Sequence, residues 1–199
     1  MTRREAIKLI FKSAAMASIP CIPQIALSSK KLPESTNRNL FEFLSSKNCT
    51  KYCTGKLKVL NAHTEEELNV RYLNRNGSPD ASGLEDLNHI FRCHYNDEVY
   101  PIPPQLYILL DVLRTKIGAG KSAYELYSGY RSPEYNRLLR QNRRGVAKKS
   151  YHVQGMAADV CLQGVSLRQL QKAAWKLQNG GVGKYRDFVH LDIGPVRSW

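Results

Sequence analysis

The chain has 199 residues, of which 42% are hydrophobic and 9% aromatic, and it carries a formal charge of +13. This length gives room for one domain of about 150 residues plus appendages, and the apolar content argues against a disordered chain. A charge of this size favours polyanionic surroundings. Nucleic acid is set aside as a partner because no zinc finger, helix-turn-helix or aromatic RNA-binding signature accompanies the charge.

Residues 1–28 open on the pair Arg3 and Arg4, followed by an apolar stretch over 9–25 that Lys12, Pro20 and Pro23 interrupt. The stretch is too short and too broken to span a bilayer as a stable helix. It reads as a twin-arginine-type signal peptide with a small-residue cleavage site around Ala26-Leu27-Ser28. Export to the periplasm is therefore expected, with no stable membrane insertion once the signal is removed. Losing this segment takes away four basic residues and one acidic residue and leaves +10. With export, the expected polyanion becomes the cell wall.

Residues 29–56, rich in Ser, Lys and Asn, read as a linker with a short helix near 39–45. A folded domain is expected over 57–199. It begins with a hairpin (57–60 and 68–72), and Asn76-Gly77-Ser78-Pro79 marks a turn. Leu84, Leu87, Ile90 and Phe91 recur at helical spacing, as do Leu106, Leu109, Leu110, Leu113 and Ile117. The second of these helices starts after Pro103-Pro104 and stops at Gly118. A strand over 124–127 leads into the turn Ser128–Pro133, and Pro133 opens a helix to about Arg140. Ser166 caps a helix bearing Leu167, Leu170, Ala174 and Leu177, ended by Asn179-Gly180-Gly181. The expected class is α+β, a small antiparallel sheet flanked by helices.

Four cysteines follow the signal: Cys49, Cys53, Cys93 and Cys161. The pair Cys49 and Cys53 has no matching pair at zinc-finger spacing, so it is not read as a structural metal site. In an oxidising compartment Cys49–Cys53 and Cys53–Cys93 disulfides are both open. Cys161 is expected to face the core as a small apolar residue.

Two motifs carry the chemistry. His152-Val-Gln-Gly155-Met-Ala157-Ala-Asp159 runs into the buried strand Ala158-Asp159-Val160-Cys161-Leu162, and His190 lies in a second strand, Phe188-Val189-His190-Leu191-Asp192. Two adjacent strands carrying inward His and Asp residues can share one divalent metal. A catalytic zinc takes three N and O ligands and leaves one position open. His152, Asp159 and His190 are the candidate ligands, with one zinc per chain.

These motifs resemble the metal signature of the D-alanyl-D-alanine metallopeptidases, whose fold is shared with the Hedgehog amino-terminal domain. With Ser128-Gly129-Tyr130-Arg131-Ser132-Pro133, Gly180-Gly181-Val182-Gly183 and the closing His190-Leu191-Asp192-x-Gly194-Pro195-Val196-Arg197-x-Trp199, the set is most similar to the periplasmic murein endopeptidase K group. The resemblance implies a zinc metallopeptidase domain over 57–199 that hydrolyses peptide cross-links of peptidoglycan, with its stem peptides as partner; a monomer is expected. A D,D- or L,D-carboxypeptidase, or an inactive zinc-containing wall-binding module, are the alternatives. It also implies that Arg131, on its tight turn, stabilises the transition state. In the dipeptidase branch a glutamate lies three residues before the last zinc histidine. Here Asp187 takes that place, one methylene shorter. Asp192 shares a strand face with His190 and stands as general base, as partner orienting a histidine, or as turn-former. Tyr130, Ser150 and Tyr151 are expected to shape the pocket. Arg137, Arg140, Arg143, Arg144, Lys148 and Lys149 form a basic run that is either a solvated face or an attractor of wall carboxylates. His63, His89 and His94 are read as structural or surface residues.

Overall fold

The computed structural model describes residues 51–142 and 146–199. The expected signal peptide, the expected linker helix and Cys49 lie outside these residues. The described part opens with a hairpin, β1 (Lys56–Asn61) against β2 (Glu67–Arg71). Helices α1 (Ala81–Ile90) and α2 (Pro104–Lys116) follow. Asp80 caps α1 by accepting the Gly83 N–H at 2.9 Å, and Pro104 starts α2 where a missing N–H does no harm. Next come β3 (Tyr124–Ser128), α3 (Pro133–Asn142), a single 3₁₀ turn (Tyr151–Gln154) and β4 (Ala157–Leu162). Helix α4 (Leu167–Leu177), capped by Ser166 as expected, precedes β5 (Gly181–Lys184), β6 (Val189–Asp192) and β7 (Arg197–Ser198).

The architecture is α+β, as expected, but the sheet is larger than the small one anticipated. It has seven strands in the order β2-β1-β3-β4-β6-β5-β7. It is also mixed, because β1 pairs parallel with β3 and β5 parallel with β7. The first parallel pair is possible because α1 and α2 supply the crossover that two parallel neighbours require. The two unforeseen strands are β5, which two glycines disguise as loop, and β7, which is only two residues long.

Helices α2 and α4 cover one face of the sheet. Leu106, Leu110 and Leu113 of α2 and Leu170 and Ala174 of α4 share a buried cluster with Val160, Val189 and Leu191. Because side chains alternate along a strand, Asp159, His190 and Asp192 point to the opposite face. The same alternation corrects the expectation for Cys161. Val160 and Leu162 take the core side, while half-buried Cys161 donates to the Glu125 carboxylate at 3.0 Å. Burial beside that carboxylate pushes the thiol up to about 12.

Behind the sheet, Asp111 of α2 is fully buried. It accepts from the Thr54 N–H and hydroxyl (both 2.7 Å), the Gly55 N–H (2.9 Å) and the Tyr72 hydroxyl (3.0 Å). Arg114, 3.5 Å away, balances its charge. The Cys53 sulfur joins this cluster at 3.6 Å from Asp111 Oδ2, whereas Cys93 donates to the Ser132 hydroxyl at 3.6 Å. A Cys53–Cys93 disulfide is therefore not formed. Asp111→Ala strands several donors and the Arg114 charge in the interior. It should lower the unfolding free energy by about 3–5 kcal/mol, measured as a shifted urea midpoint at unchanged slope.

Candidate metal centre

The local chain path fixes His152 first. The Ser150 hydroxyl accepts the His152 N–H at 3.3 Å, which opens the 3₁₀ turn. Gly155 closes it at φ 67°, where an added Cβ would also meet the Tyr100 ring at 2.9 Å. Only a residue without a side chain turns the chain here, from His152 back into β4. His152 is 3% exposed, and its Nδ1 lies 2.8 Å from the Gly129 carbonyl. A carbonyl only accepts, so Nδ1 carries the proton and Nε2 keeps its lone pair.

Asp159 and His190 arrive together, because they face each other directly in the antiparallel pairing of β4 with β6. His190 Nε2 lies 3.1 Å from Asp192 Oδ2. That carboxylate also receives two bonds from Arg197 (3.1 and 2.6 Å) and one each from the Gly181 and Gly194 N–H groups (3.1 and 2.9 Å). Gly181 is required by this close approach, since any Cβ there would run into the carboxylate and the Arg197 guanidinium. With Asp192 ionised, Nε2 is the donor, so whenever the ring is neutral the lone pair lies on His190 Nδ1.

Three acceptors then converge. His152 Nε2 lies 3.2 Å from Asp159 Oδ1 and 3.2 Å from His190 Nδ1, and His190 Nδ1 lies 2.8 Å from Asp159 Oδ1. All three residues are buried, and they form the one His/Cys/Asp/Glu group among the described residues that could hold a metal ion. Metal–ligand bonds of about 2.0–2.2 Å at tetrahedral angles place donor atoms about 3.3 Å apart. The donor set, its spacing and the outward direction of both N–H bonds fit a divalent ion such as zinc.

The electrostatics point the same way. Burial alone would lower His190, but Asp159 and Asp192 push it up to about 9. Burial, the largest influence on His152, holds that ring below its ordinary value. Burial would raise Asp159, yet the two imidazoles hold it well below the usual carboxylate range. Asp192 likewise resists burial and falls to about 2 beside His190 and Arg197.

Arg131 is brought to the cluster. Its guanidinium lies 3.4 Å from Asp159 Oδ2, the oxygen turned away from the histidines, and 3.2 Å from the Ser128 hydroxyl. Its backbone N–H also donates to the His152 carbonyl at 3.1 Å. Asp187 stands apart from the cluster's bonds. It lies in the tight β5–β6 turn, closed by the Tyr185 N–H to the Phe188 carbonyl, and its exposed carboxylate accepts from Arg186 at 3.1 Å. Tyr130 is buried, stacked on Tyr100 at 4.5 Å with its hydroxyl on Glu98, so it packs into the body of the domain. Tyr151 braces the site from behind, under the Arg197 guanidinium at 5.0 Å. Of the basic run, Arg137, Arg140, Lys148 and Lys149 are exposed; Arg143 and Arg144 lie outside the described residues.

With this geometry in place, the comparison with known proteins is decisive. The model of the peptidase family described as peptidoglycan L,D-endopeptidase MepK matches residues 50–199. The chain belongs to that family. Peptidoglycan L,D-endopeptidase MepK of Escherichia coli (strain K12) is 40% identical over 145 residues, covering 72% of this chain and 79% of the relative. The probable peptidoglycan L,D-endopeptidase MepK of Haemophilus influenzae is 36% identical over 151 residues, covering 73% and 81%. The resemblance drawn from the motifs, to the murein endopeptidase K group, is thereby borne out.

Two features of this MepK-family site have no role in the sequence reading. Arg197 was quoted in the closing motif without a role, and it is the clamp on Asp192. Trp199 lies against the His190 ring at 5.4 Å and donates through Nε1 to the Tyr185 hydroxyl at 3.0 Å. Tyr185 in turn stacks on Phe188 at 4.9 Å, giving the site an aromatic rim. His63 and His94, read from the sequence as structural or surface residues, are stacked at 3.8 Å. Each holds its own partner, His63 on the Tyr127 carbonyl and His94 on the Tyr135 hydroxyl.

Burial, with the charges of His63 and Arg131, lowers His94 to about 4. Its folded value lies below the unfolded value, so the unfolded chain takes up this proton first. The neutral ring's contribution to stability is complete above about pH 6.5 and is lost as pH falls toward 4. An NMR titration should place the His94 midpoint near 4, and His94→Gln should flatten the stability profile between those pH values.

Proposed function

We propose that this chain is a zinc-dependent murein endopeptidase that hydrolyses L,D peptide cross-links of peptidoglycan, with His152, Asp159 and His190 as ligands of one ion. The observation that carries the reading is the convergence of three lone pairs whose imidazoles donate outward. It occurs in a chain whose relatives are named for that activity. The same names favour an endopeptidase over a carboxypeptidase acting on free stem ends. A divalent ion held by these residues supplies Lewis acidity to the scissile carbonyl and draws the pKa of a nearby water toward about 7.

The remaining work falls to the chain's own residues. Arg131, fixed between Asp159 and Ser128, is placed to meet negative charge developing on the former carbonyl oxygen. Asp192 is a positioning residue, since five donors already occupy its oxygens and it fixes the proton on His190 Nε2. Of the two candidate bases, that leaves Asp187, whose exposed carboxylate is bonded to Arg186, for the base role. Residues 1–28 act as a twin-arginine-type signal, and the stretch expected as a linker gives way to the domain before residue 57, since Thr54 and Gly55 already bond to Asp111 and β1 starts at Lys56. The domain that follows is catalytic, working in the periplasm as a monomer on stem peptides.

A second reading, a zinc-containing wall-binding module without hydrolysis, draws on the aspartate at position 187 in place of a glutamate, with its carboxylate bonded to Arg186. Incubating purified peptidoglycan with the protein, with and without a chelator, separates the two when metal content is measured on the same sample. Chelator-sensitive release of uncrosslinked muropeptides with one zinc per chain is expected. One zinc without release would select the binding module.

Substitutions refine the roles. His152→Ala or His190→Ala should abolish metal retention, and retained metal with full activity in His190→Ala would sink the ligand set. Asp192→Asn should weaken metal affinity by about 10–100-fold in a competition titration with a chromogenic chelator. Arg131→Ala should keep its metal and lose roughly a hundredfold or more in kcat. Asp187→Asn should also keep metal and lose about 10²–10⁴-fold; undiminished turnover would move the base away from this turn.

A further inference from the structure

The face opposite the metal centre carries a concavity that hydrolysis does not use. It lies between the carboxyl-terminal end of α2 and the exposed side of α4, with a volume of about 590 Å³. Lys116, Arg168, Lys172 and Lys176 line it together with Ser166 and Gln169, and no carboxylate among the described residues does. None of the four cations enters an ion pair among the described residues.

The arrangement works against the helix that carries it. Arg168, Lys172 and Lys176 recur every fourth residue, so their charges stack along one side of α4, where like charges at this spacing destabilise. Arg168 also falls in the first turn of α4, beside the positive end of the helix dipole and with no acidic residue in that turn. A helix selected only for folding would place carboxylates here. An anion in the concavity relieves both repulsions at once.

Three observations define that anion. The volume suits a headgroup-sized group rather than a polymer. Trp175 is 40% exposed and lies two helical turns from Arg168 on the same side of α4, and tryptophan is a residue that favours the boundary between water and lipid. The concavity faces away from His152, Asp159 and His190 across the sheet, so whatever it binds leaves the catalytic face free. We propose that this face docks the protein on a membrane surface rich in anionic phospholipid, with a lipid phosphate seated among the four cations. Contact is peripheral, as no helix among the described residues is long and apolar enough to cross a membrane.

The test compares the full chain with the triple variant Arg168→Gln, Lys172→Gln, Lys176→Gln. Each is co-sedimented with phosphatidylcholine vesicles and with mixed phosphatidylcholine–phosphatidylglycerol vesicles. At about fivefold per cation, the preference of the wild-type chain for the anionic vesicles should fall by roughly a hundredfold in the variant. It should also weaken with added salt. An unchanged thermal melting curve shows that the variant is folded, and the single Lys172→Gln change gives an intermediate loss if the triple variant is not. Equal preference in wild type and variant overturns the proposal. So does tight binding of purified peptidoglycan or inorganic phosphate by these residues without any vesicle preference, which would make the concavity a wall or free-phosphate site.

Discussion

Three acceptor atoms within 3.2 Å of one another, each presenting a lone pair to the others, cannot stand together without positive charge between them. That single electrostatic demand organises the surrounding structure. Each imidazole must send its proton outward, so each needs a fixed acceptor behind it. For His152 this is the Gly129 carbonyl, held by the turn that also presents Arg131. For His190 it is Asp192, held by Arg197, Gly181 and Gly194. The elevation of His190 to about 9 expresses the same demand, since a proton is the positive charge the chain itself can provide.

Meeting the demand to within tenths of an ångström requires rigid supports, and the fold provides them. Asp159 and His190 are cross-strand neighbours on β4 and β6, in the middle of the seven-stranded sheet. Neither strand is an edge. Their other faces are pinned by α2 and α4 through Val160, Val189 and Leu191. His152 comes from a 3₁₀ turn rather than a strand, but it is bonded at both the backbone and the ring. The position of the last three residues also becomes intelligible, because β7 carries Arg197 beside Asp192 and lays Trp199 on His190.

Much of this was legible in the sequence because the signals were local. The 3.6-residue stripes of α1, α2 and α4, their caps, and the period-two strand at 189–192 all follow from short-range rules, and the ligand trio followed from two compact motifs. The misses were matters of pairing and of environment. Gly181 and Gly183 concealed β5, whose glycines answer to Asp192 and Trp199 packed against them. Cys161 was placed in the core on composition, although its strand phase gives it to the other face. The role of Asp192 needed a count of the donors around it, and those donors come from five, eleven and two residues away in sequence. No pattern read along the chain adds up such a shell.

The charges of the shell explain why so buried a site tolerates so many ionisable groups. Asp159 is matched by Arg131 and Asp192 by Arg197, and His152 and His190 would be neutral imidazoles once an ion replaces the proton on His190. The protein's own contribution is then balanced. A divalent ion would leave the centre with an excess of two positive charges in surroundings of low dielectric, where charge acts strongly. That excess favours a substrate bearing carboxylates and a reaction that builds negative charge on oxygen. A site with two unpaired carboxylates would have cancelled the ion instead, binding it tightly and leaving little field to act on the peptide bond. Holding each aspartate with an arginine would thus allow a His-Asp-His centre, with an ion bound, to be both buried and electrophilic.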